Sequence, residues 1–299
     1  MKKIIISLFL SIVLSLSLLA SDLKITVFDV GQGLSIVVRT PDNKTMIYDT
    51  GSSSLKKNNY RIGLIAVAPY LKSEGIRKID LLMLSHPHTD HYSGLQALVN
   101  KYPITDFAYN GKNATHSAYK DIIKALNKQN PKMIKVKSGY SFKLGDKVKG
   151  YVYNPSFPMP KSFDINNGSI AMKLTYGKCS IFFTGDCNKE AENAMISKFK
   201  GKMKSDVLIV GHHGSHNATT SNFLKEINPS LAVISCGKNN SYGHPSKDVL
   251  KRLGNAKIKV LRTDINGAIT IISDGSKIGY SLNKKTNNEK SKYQKKKQK

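Results

Sequence analysis

The sequence predicts an α/β fold, a four-layer αββα sandwich built from two repeat-related halves. Three observations carry that expectation. From Lys24 onward, short β-rich segments alternate with helical ones. One hairpin pattern occurs twice: residues 33–51 read GLSIVVRTPDNKTMIYDTG and residues 168–185 read GSIAMKLTYGKCSIFFTG, each ending in Thr-Gly. Each copy is followed by a helical stretch and then by an apolar strand, entered at Asp80 or Asp206 and closed at the same offset by His86 or His212. Two matches in the same order imply two similar halves packed face to face, each a sheet covered by helices. Sites in such folds sit at strand ends, where loops of both halves meet.

Taken in order, residues 1–21 read as a leader. Met1-Lys2-Lys3 precedes an apolar run from Ile4 to Ala20 broken only by serines, the layout of a secretory signal. That run is at the short edge of a spanning helix, which needs ~20 residues, so export is expected, with the leader either cleaved or kept as a membrane anchor. The body, 22–283, opens with β-rich segments at 24–28, 34–39 and 45–48, and Asp42-Asn43 turns the chain between the last two. Helical periodicity marks 62–73, 95–101 and 118–129, and the continuous apolar run 79–84 is a buried strand. The second half has strands at 169–175, 179–183, 207–210, 231–234, 258–261 and 268–272, with helices at 191–199, 221–226 and 247–253. Residues 284–299 hold eight lysines, one glutamate and no aliphatic side chain, and read as a solvated, disordered basic tail.

Charge narrows the partners. Over 299 residues, 47 Lys+Arg against 20 Asp+Glu give a formal net charge of +27. Removing the tail's net +7 and the two N-terminal lysines leaves a body near +18, basic in its own right. Such a surplus predicts a polyanionic partner, nucleic acid or an anionic surface. A 40% hydrophobic share suffices for a core and excludes wholesale disorder, and one long apolar run is too few for a multi-span membrane protein. Cys179, Cys187 and Cys236 supply neither a disulfide framework nor the C-x-x-C spacing of a structural zinc site.

Six of the eight histidines fall in two clusters. The first, Ser85-His86-Pro87-His88-Thr89-Asp90-His91, follows the buried strand directly. His86 and His88 point the same way in extended chain, while Asp90 and His91 lie beyond the turn, so one stretch can feed two metal ions. Packing that many imidazoles with no ligand would cost desolvation and mutual repulsion. The second cluster, Gly211-His212-His213-Gly214-Ser215-His216, ends the repeat-related strand. The repeat therefore nominates His212 as a ligand, with His213 and His216 as further candidates. Asp186, after Thr184-Gly185, fits a carboxylate bridging two metals. Its first-half counterpart, Asp49-Thr50-Gly51, is either a turn or a carboxylate that orients a histidine from behind the metal.

In combination and in order, these motifs resemble the metallo-β-lactamase-fold hydrolases. Asp29-Val30-Gly31-Gln32-Gly33, Asn166-Asn167-Gly168-Ser169, Gly211-His212-His213-Gly214-Ser215 and Tyr242-Gly243-His244-Pro245 resemble one branch of them, the hydrolase domain of ComEC-type DNA-uptake channels and its stand-alone relatives. The resemblance covers about residues 24–272. It implies a site for two divalent ions, zinc or manganese. His86 and His88 match ligands of the first ion, Asp90, His91 and His212 match ligands of the second, and Asp186 matches the bridge. Most members of the wider fold carry another first-site histidine where this chain has Asn166-Asn167, so that site is expected to be incomplete, filled by water or weaker.

From such a site follows hydrolysis by a metal-activated hydroxide, with Asp90 or Asp186 holding the nucleophile. His244, in a loop with Asn239, Asn240 and Tyr242, either donates to the leaving oxygen or is a loop histidine before a fixed proline turn. His213, Ser215, Asn167 and Asn240 are the expected substrate-binding residues, and Asp29 and Asp49 the expected supports behind the metal. The function expected is an exported phosphodiesterase acting on nucleic acid, DNA above all. Two other classes stay open: hydrolysis of a small ester, lactone or lactam, and a polyanion-binding protein with a degenerate metal site.

Overall fold

The computed structural model describes residues 22–52, 66–156 and 164–283. Residues 1–21, expected as a leader, residues 284–299, expected as a basic tail, and the beginning of the helix expected at 62–73 lie outside those residues. Among the described residues, fifteen strands form two sheets. The first runs β15 (Ile278–Asn283), β14 (Ala268–Ser273), β1 (Leu23–Val27), β2 (Ser35–Arg39), β3 (Thr45–Thr50), β4 (Ile79–Leu84), β5 (Ile104–Tyr109) and β6 (Lys132–Lys135). The second runs β13 (Lys259–Arg262), β12 (Leu231–Ile234), β11 (Val207–Ile209), β10 (Cys179–Phe183), β9 (Ala171–Tyr176), β8 (Val148–Asn154) and β7 (Ser141–Leu144).

Side-chain alternation sorts these strands into layers. Ile36 and Val38 of β2, Met46 and Tyr48 of β3, and Leu81 and Met83 of β4 enter one cluster with Met172, Leu174, Ile181 and Phe183 of the other sheet. The intervening Val37, Ile47 and Leu82 face the other way. They pack against α1 (Ala68–Ser73), α2 (Thr89–Tyr92), α3 (Leu95–Val99) and α4 (Ser117–Gln129), which bury Leu71, Tyr92, Leu98 and Leu126. The outer face of the second sheet is covered by α5 (Lys189–Phe199), α6 (Ser221–Ile227) and α7 (Lys247–Asn255), through Met195, Phe223 and Leu253 among others. Helix, sheet, sheet and helix are thus separated by three apolar cores, the four layers that the repeat predicts. Each large aliphatic side chain buried in them contributes ~2 kcal/mol of transfer free energy.

The repeat is real at the level of pairing. β1 to β6 pair antiparallel, antiparallel, parallel, parallel, parallel, and β8 to β13 do the same. The two entering aspartates have one job. Asp80 Oδ2 accepts the Thr45 N–H at 2.9 Å and Asp206 Oδ2 accepts the Ser180 N–H at 2.8 Å, so each ties a parallel strand to the start of its neighbouring hairpin strand. Tyr48 and Phe183, at corresponding hairpin positions, meet across the seam with ring centroids 5.2 Å apart.

β5 to β8 and β15 are absent from the strands that the sequence predicts. β5 is broken by Thr105 and Asp106, β6 and β7 are edge strands with exposed lysines, β8 is interrupted by Lys149 and Gly150, and β15 is exposed over most of its length, so none shows the apolar run that marks its neighbours. The three cysteines are free and buried.

Candidate metal centre

The site forms where the C-terminal ends of β4 and β11 meet at the seam. Its floor depends on a β-bulge. Ile36 pairs with Tyr48 but Ser35 pairs with Thr50, which leaves Asp49 as the extra residue, with left-handed φ of 56°. The bulge turns the Asp49 carboxylate inward, fully buried. It accepts three hydrogen bonds: from Ser85 N–H at 2.7 Å, from Ser85 Oγ at 2.6 Å and from His91 Nδ1 at 2.7 Å. Gly33 and Gly51 lie directly beneath Asp90, and a Cβ on either would collide with its backbone. The chain carrying Asp90 and His91 is thereby seated on glycine, where the Leu34 N–H also donates to the Asp90 carbonyl at 3.1 Å.

From the other half, the turn 211–214 holds His212 at φ 49° and His213 at φ 54°, two consecutive left-handed residues flanked by Gly211 and Gly214. Such conformations are costly in non-glycine residues and cluster at functional sites. Gly214 admits the close packing of Pro245, which a Cβ there would strike at 2.6 Å.

Asp90, His91, Asp186 and His213 bring one donor atom each within 4.8 Å of all the others. His91 Nε2 lies 3.2 Å from Asp186 Oδ1, and His213 Nε2 lies 3.3 Å from Asp90 Oδ2 and 3.6 Å from Asp186 Oδ2. The ring nitrogens behind them are committed. His91 Nδ1 donates to Asp49, and His213 Nδ1 faces the Ser235 carbonyl at 3.0 Å, which can only accept. In the neutral rings both Nε2 atoms therefore present lone pairs toward carboxylates. His91 Nε2, His213 Nε2 and Asp186 Oδ1 are buried with no hydrogen-bond partner. Lone pairs facing carboxylates in a dry pocket repel unless a cation or shared protons lie between them, so the donor set fits a divalent ion. Mixed imidazole and carboxylate donors suit zinc or manganese.

Beside this cluster, His86 Nε2 and His88 Nδ1 approach to 3.0 Å, with Asp186 Oδ2 4.0 Å from His86 Nε2. Donors ~3 Å apart match an edge of a coordination sphere with ~2.1 Å bonds. His86 Nδ1 is backed by Ser85 Oγ at 3.1 Å and Ser169 Oγ at 3.2 Å, and Ser169 Oγ accepts the Asp186 N–H at 3.0 Å.

Electrostatics agree with this picture. Burial alone would raise the Asp186 carboxyl, but His91 and His213 hold it well below the usual carboxylate range. Burial likewise opposes ionisation of Asp90, which His91 and His213 nonetheless keep below its ordinary value. Burial would lower His91 and His213, yet the carboxylates around them, Asp186 foremost, raise both. His86 goes the other way, pushed down by burial and by His91.

The remaining sequence-nominated residues take distinct places. His212, nominated by the repeat, stands at the edge of the cluster with Nε2 3.8 Å from Asp186 Oδ2, while its neighbour His213, expected to bind substrate, enters the cluster itself. His212 Nδ1 meets Asn188 Oδ1 at 2.8 Å, and Asn167 Oδ1 accepts the Asn188 N–H at 3.0 Å, so Asn167 acts one step behind a histidine. Ser215 closes the turn, its N–H donating to the His212 carbonyl at 2.8 Å. Asn240 spends its whole amide within its own loop, accepting from Tyr242 and His244 N–H and donating to the Gly237 and His244 carbonyls. Asp29 accepts the Gly31 N–H at 3.4 Å and shapes its turn. His216 is exposed.

His244 lies with its ring centroid 5.7 Å from that of His212 and 6.4 Å from that of His213. Burial and those two histidines push it down to about 4. Its Nδ1 is 3.2 Å from Gln32 Nε2, and Gln32 Oε1 accepts the Gly237 N–H at 3.1 Å. The amide thus turns its NH₂ toward His244, Nδ1 accepts, and the neutral ring carries its proton on Nε2. Gln32, Ser85 and Ser169 lie inside the sequence motifs with no role assigned by them, and Asn188 lies just beyond one. Their only signal was membership of, or adjacency to, those motifs.

A fold of two face-to-face sheets with histidines and carboxylates converging at the seam defines a class, and the comparison agrees. The family model described as the metallo-beta-lactamase superfamily matches residues 28–238, and the chain belongs to that family. It is a hydrolase by family, with the four-residue cluster as its candidate metal site. The chain is similar to ComE operon protein 3 of Bacillus subtilis (strain 168), at 32% identity over 260 residues, covering 84% of this chain and 33% of that protein. It is similar to Competence protein ComA of Neisseria gonorrhoeae, at 32% identity over 249 residues, covering 83% of this chain and 32% of that protein. The chain therefore spans about a third of the length of these relatives. Among solved structures, the diiron beta-hydroxylase CmlA of Streptomyces venezuelae aligns with a TM-score of 0.52 at 12% identity, over 84% of this chain and 54% of that one, a likeness of fold.

Proposed function

We propose that this chain is an exported, metal-dependent phosphodiesterase that cleaves DNA. The observation that carries the reading is the donor cluster of Asp90, His91, Asp186 and His213, with its three buried atoms left without partners. The net charge of +27 and the relative named as a competence protein support a DNA substrate over a small ester. Export rests on the basic and apolar leader, which also offers a membrane attachment. Among the described residues no helix is long and apolar enough to cross a membrane.

Divalent ions at this site supply Lewis acidity toward a phosphoryl oxygen and acidify water. Asp90, His91, Asp186 and His213 would hold one ion, and His86 and His88, with Asp186 between the two, a second. Asp49 keeps the His91 proton on Nδ1 and leaves Nε2 free to ligate. The Ser235 carbonyl does the same for His213. His244, neutral and protonated on Nε2, donates a hydrogen bond to a phosphate or leaving oxygen brought alongside it.

The test is cleavage of single- and double-stranded DNA by the full chain with Mn²⁺ or Zn²⁺, beside His86→Ala and Asp186→Ala. The expected result is metal-dependent cleavage by the wild type alone, with affinity falling steeply as salt rises. Metal binding without cleavage of either DNA would shift the substrate to a small ester. DNA binding that never needs metal, with no hydrolysis, would leave a polyanion-binding protein.

A further inference from the structure

The loop that carries His244 also carries an aromatic side chain that hydrolysis leaves unused. Tyr242 is 63% exposed, the most exposed large hydrophobic side chain among the described residues. Its ring lies 5.7 Å from that of His244 with 24° between the planes, and His244 lies over His213 with 27° between planes. Three near-parallel rings therefore step from the buried donor cluster out to the surface. The backbone that carries the outermost step is held by Asn240. Asn240 Oδ1 accepts the N–H of Tyr242 at 3.1 Å and of His244 at 3.0 Å, while Asn240 Nδ2 donates to the Gly237 carbonyl at 2.8 Å and to the His244 carbonyl. The space beside the step is open: a Cβ on Gly243, at φ 68°, would meet nothing within 4 Å. Lys238 is exposed in the same loop.

An exposed phenol ring has no role in the core, and its apolar face is left against water. Flat π surfaces of this kind bind other flat π surfaces, and beside a cationic residue they suit the bases of a polyanion. A base inside a duplex already has both faces covered by its neighbours, so only an unpaired one can lie on the ring. Resting on the phosphodiesterase reading, we propose that Tyr242 is a stacking platform for an unpaired nucleobase flanking the phosphate that is cut. The site would then prefer single strands, loops or frayed ends over intact duplex.

The test compares oligothymidylate with an abasic oligonucleotide of the same length, using the full-length wild type, Tyr242→Ala, Tyr242→Phe and Tyr242→Trp. Tyr242→Ala is expected to lose roughly 5- to 150-fold in kcat/KM on oligothymidylate. It should cut the abasic strand at the wild-type rate, and Tyr242→Phe should keep both activities. The chain has no tryptophan, so Tyr242→Trp installs a single tryptophan whose emission oligothymidylate should quench and the abasic strand should not. Oligothymidylate cleavage by Tyr242→Ala at the wild-type rate, or tryptophan emission unmoved by saturating oligothymidylate, overturns the proposal. If the wild type cuts neither strand, the phosphodiesterase reading fails, and the tryptophan signal still decides whether bases stack here.

Discussion

Replacing Asp49 by Asn probes the centre through one proton. The buried carboxylate accepts from Ser85 N–H, Ser85 Oγ and His91 Nδ1. An amide of the same shape must keep its oxygen on the Ser85 N–H, because backbone cannot switch from donor to acceptor. Its NH₂ then faces His91 Nδ1, which can accept only if the imidazole proton moves to Nε2. That proton would point at Asp186, where the metal-binding lone pair belongs. Outer partners of this kind are worth ~10- to 100-fold in metal affinity, or about 1.4–2.8 kcal/mol. Titration against a chromophoric chelator should show Zn²⁺ or Mn²⁺ affinity reduced by that factor in Asp49→Asn. Circular dichroism should remain that of the folded chain. Ser85→Ala, which leaves the Asp49–His91 bond in place, should lose less than about tenfold. A folded Asp49→Asn protein binding metal within about twofold of wild type would refute the tautomer argument and the role of the bulge with it.

Two further predictions concern stability. His91 and His213 are raised in the folded protein, so without metal their stabilisation is complete below ~6.5, the ordinary histidine value, and is lost as pH rises through their folded values. Asp90 and Asp186 are lowered, so their contribution is present above ~3.9 and disappears as pH falls through their folded values. Metal displaces the two histidine protons, so the rise in Tm on adding Zn²⁺ should be larger at about pH 8 than at about pH 6, and an equal rise would contradict this linkage. Gly51→Ala would set a methyl against the backbone of Asp90 and His91. Denaturant unfolding should show a loss of about 1–3 kcal/mol together with weakened metal binding; unchanged values for both would show that the seat can yield.

Much of the fold is visible in the residues because the repeat leaves paired marks. Asp80 and Asp206, the two Thr-Gly hairpin ends and His86 with His212 all sit where equivalent strands start and finish. Two features escape that logic. Spacing made His212 the counterpart of His86, yet the turn gives two successive residues positive φ, which directs His213 into the cluster and leaves His212 at its edge. Nothing in a Gly-His-His-Gly string fixes which imidazole turns inward; the Ser235 carbonyl does, and it lies on another strand's end. Asp49 was readable as a turn or as a histidine's support, and the extra residue in the first hairpin decides between them. The edge strands were illegible for a different reason, since their outward lysines erase the apolar pattern that pairing alone does not require.

The donors divide unequally across the seam. His86, His88, Asp90 and His91 hang from one sheet, and Asp186 and His213, with His212 at the edge, from the other. Neither sheet alone offers a complete chelate, and the shared apolar layer around Tyr48 and Phe183 supplies the high effective concentration that joins them. An ion in this place works as a rivet between the two leaves of the sandwich. Its removal would slacken the joint first, and each leaf, still stitched by its own ladder, would keep its shape.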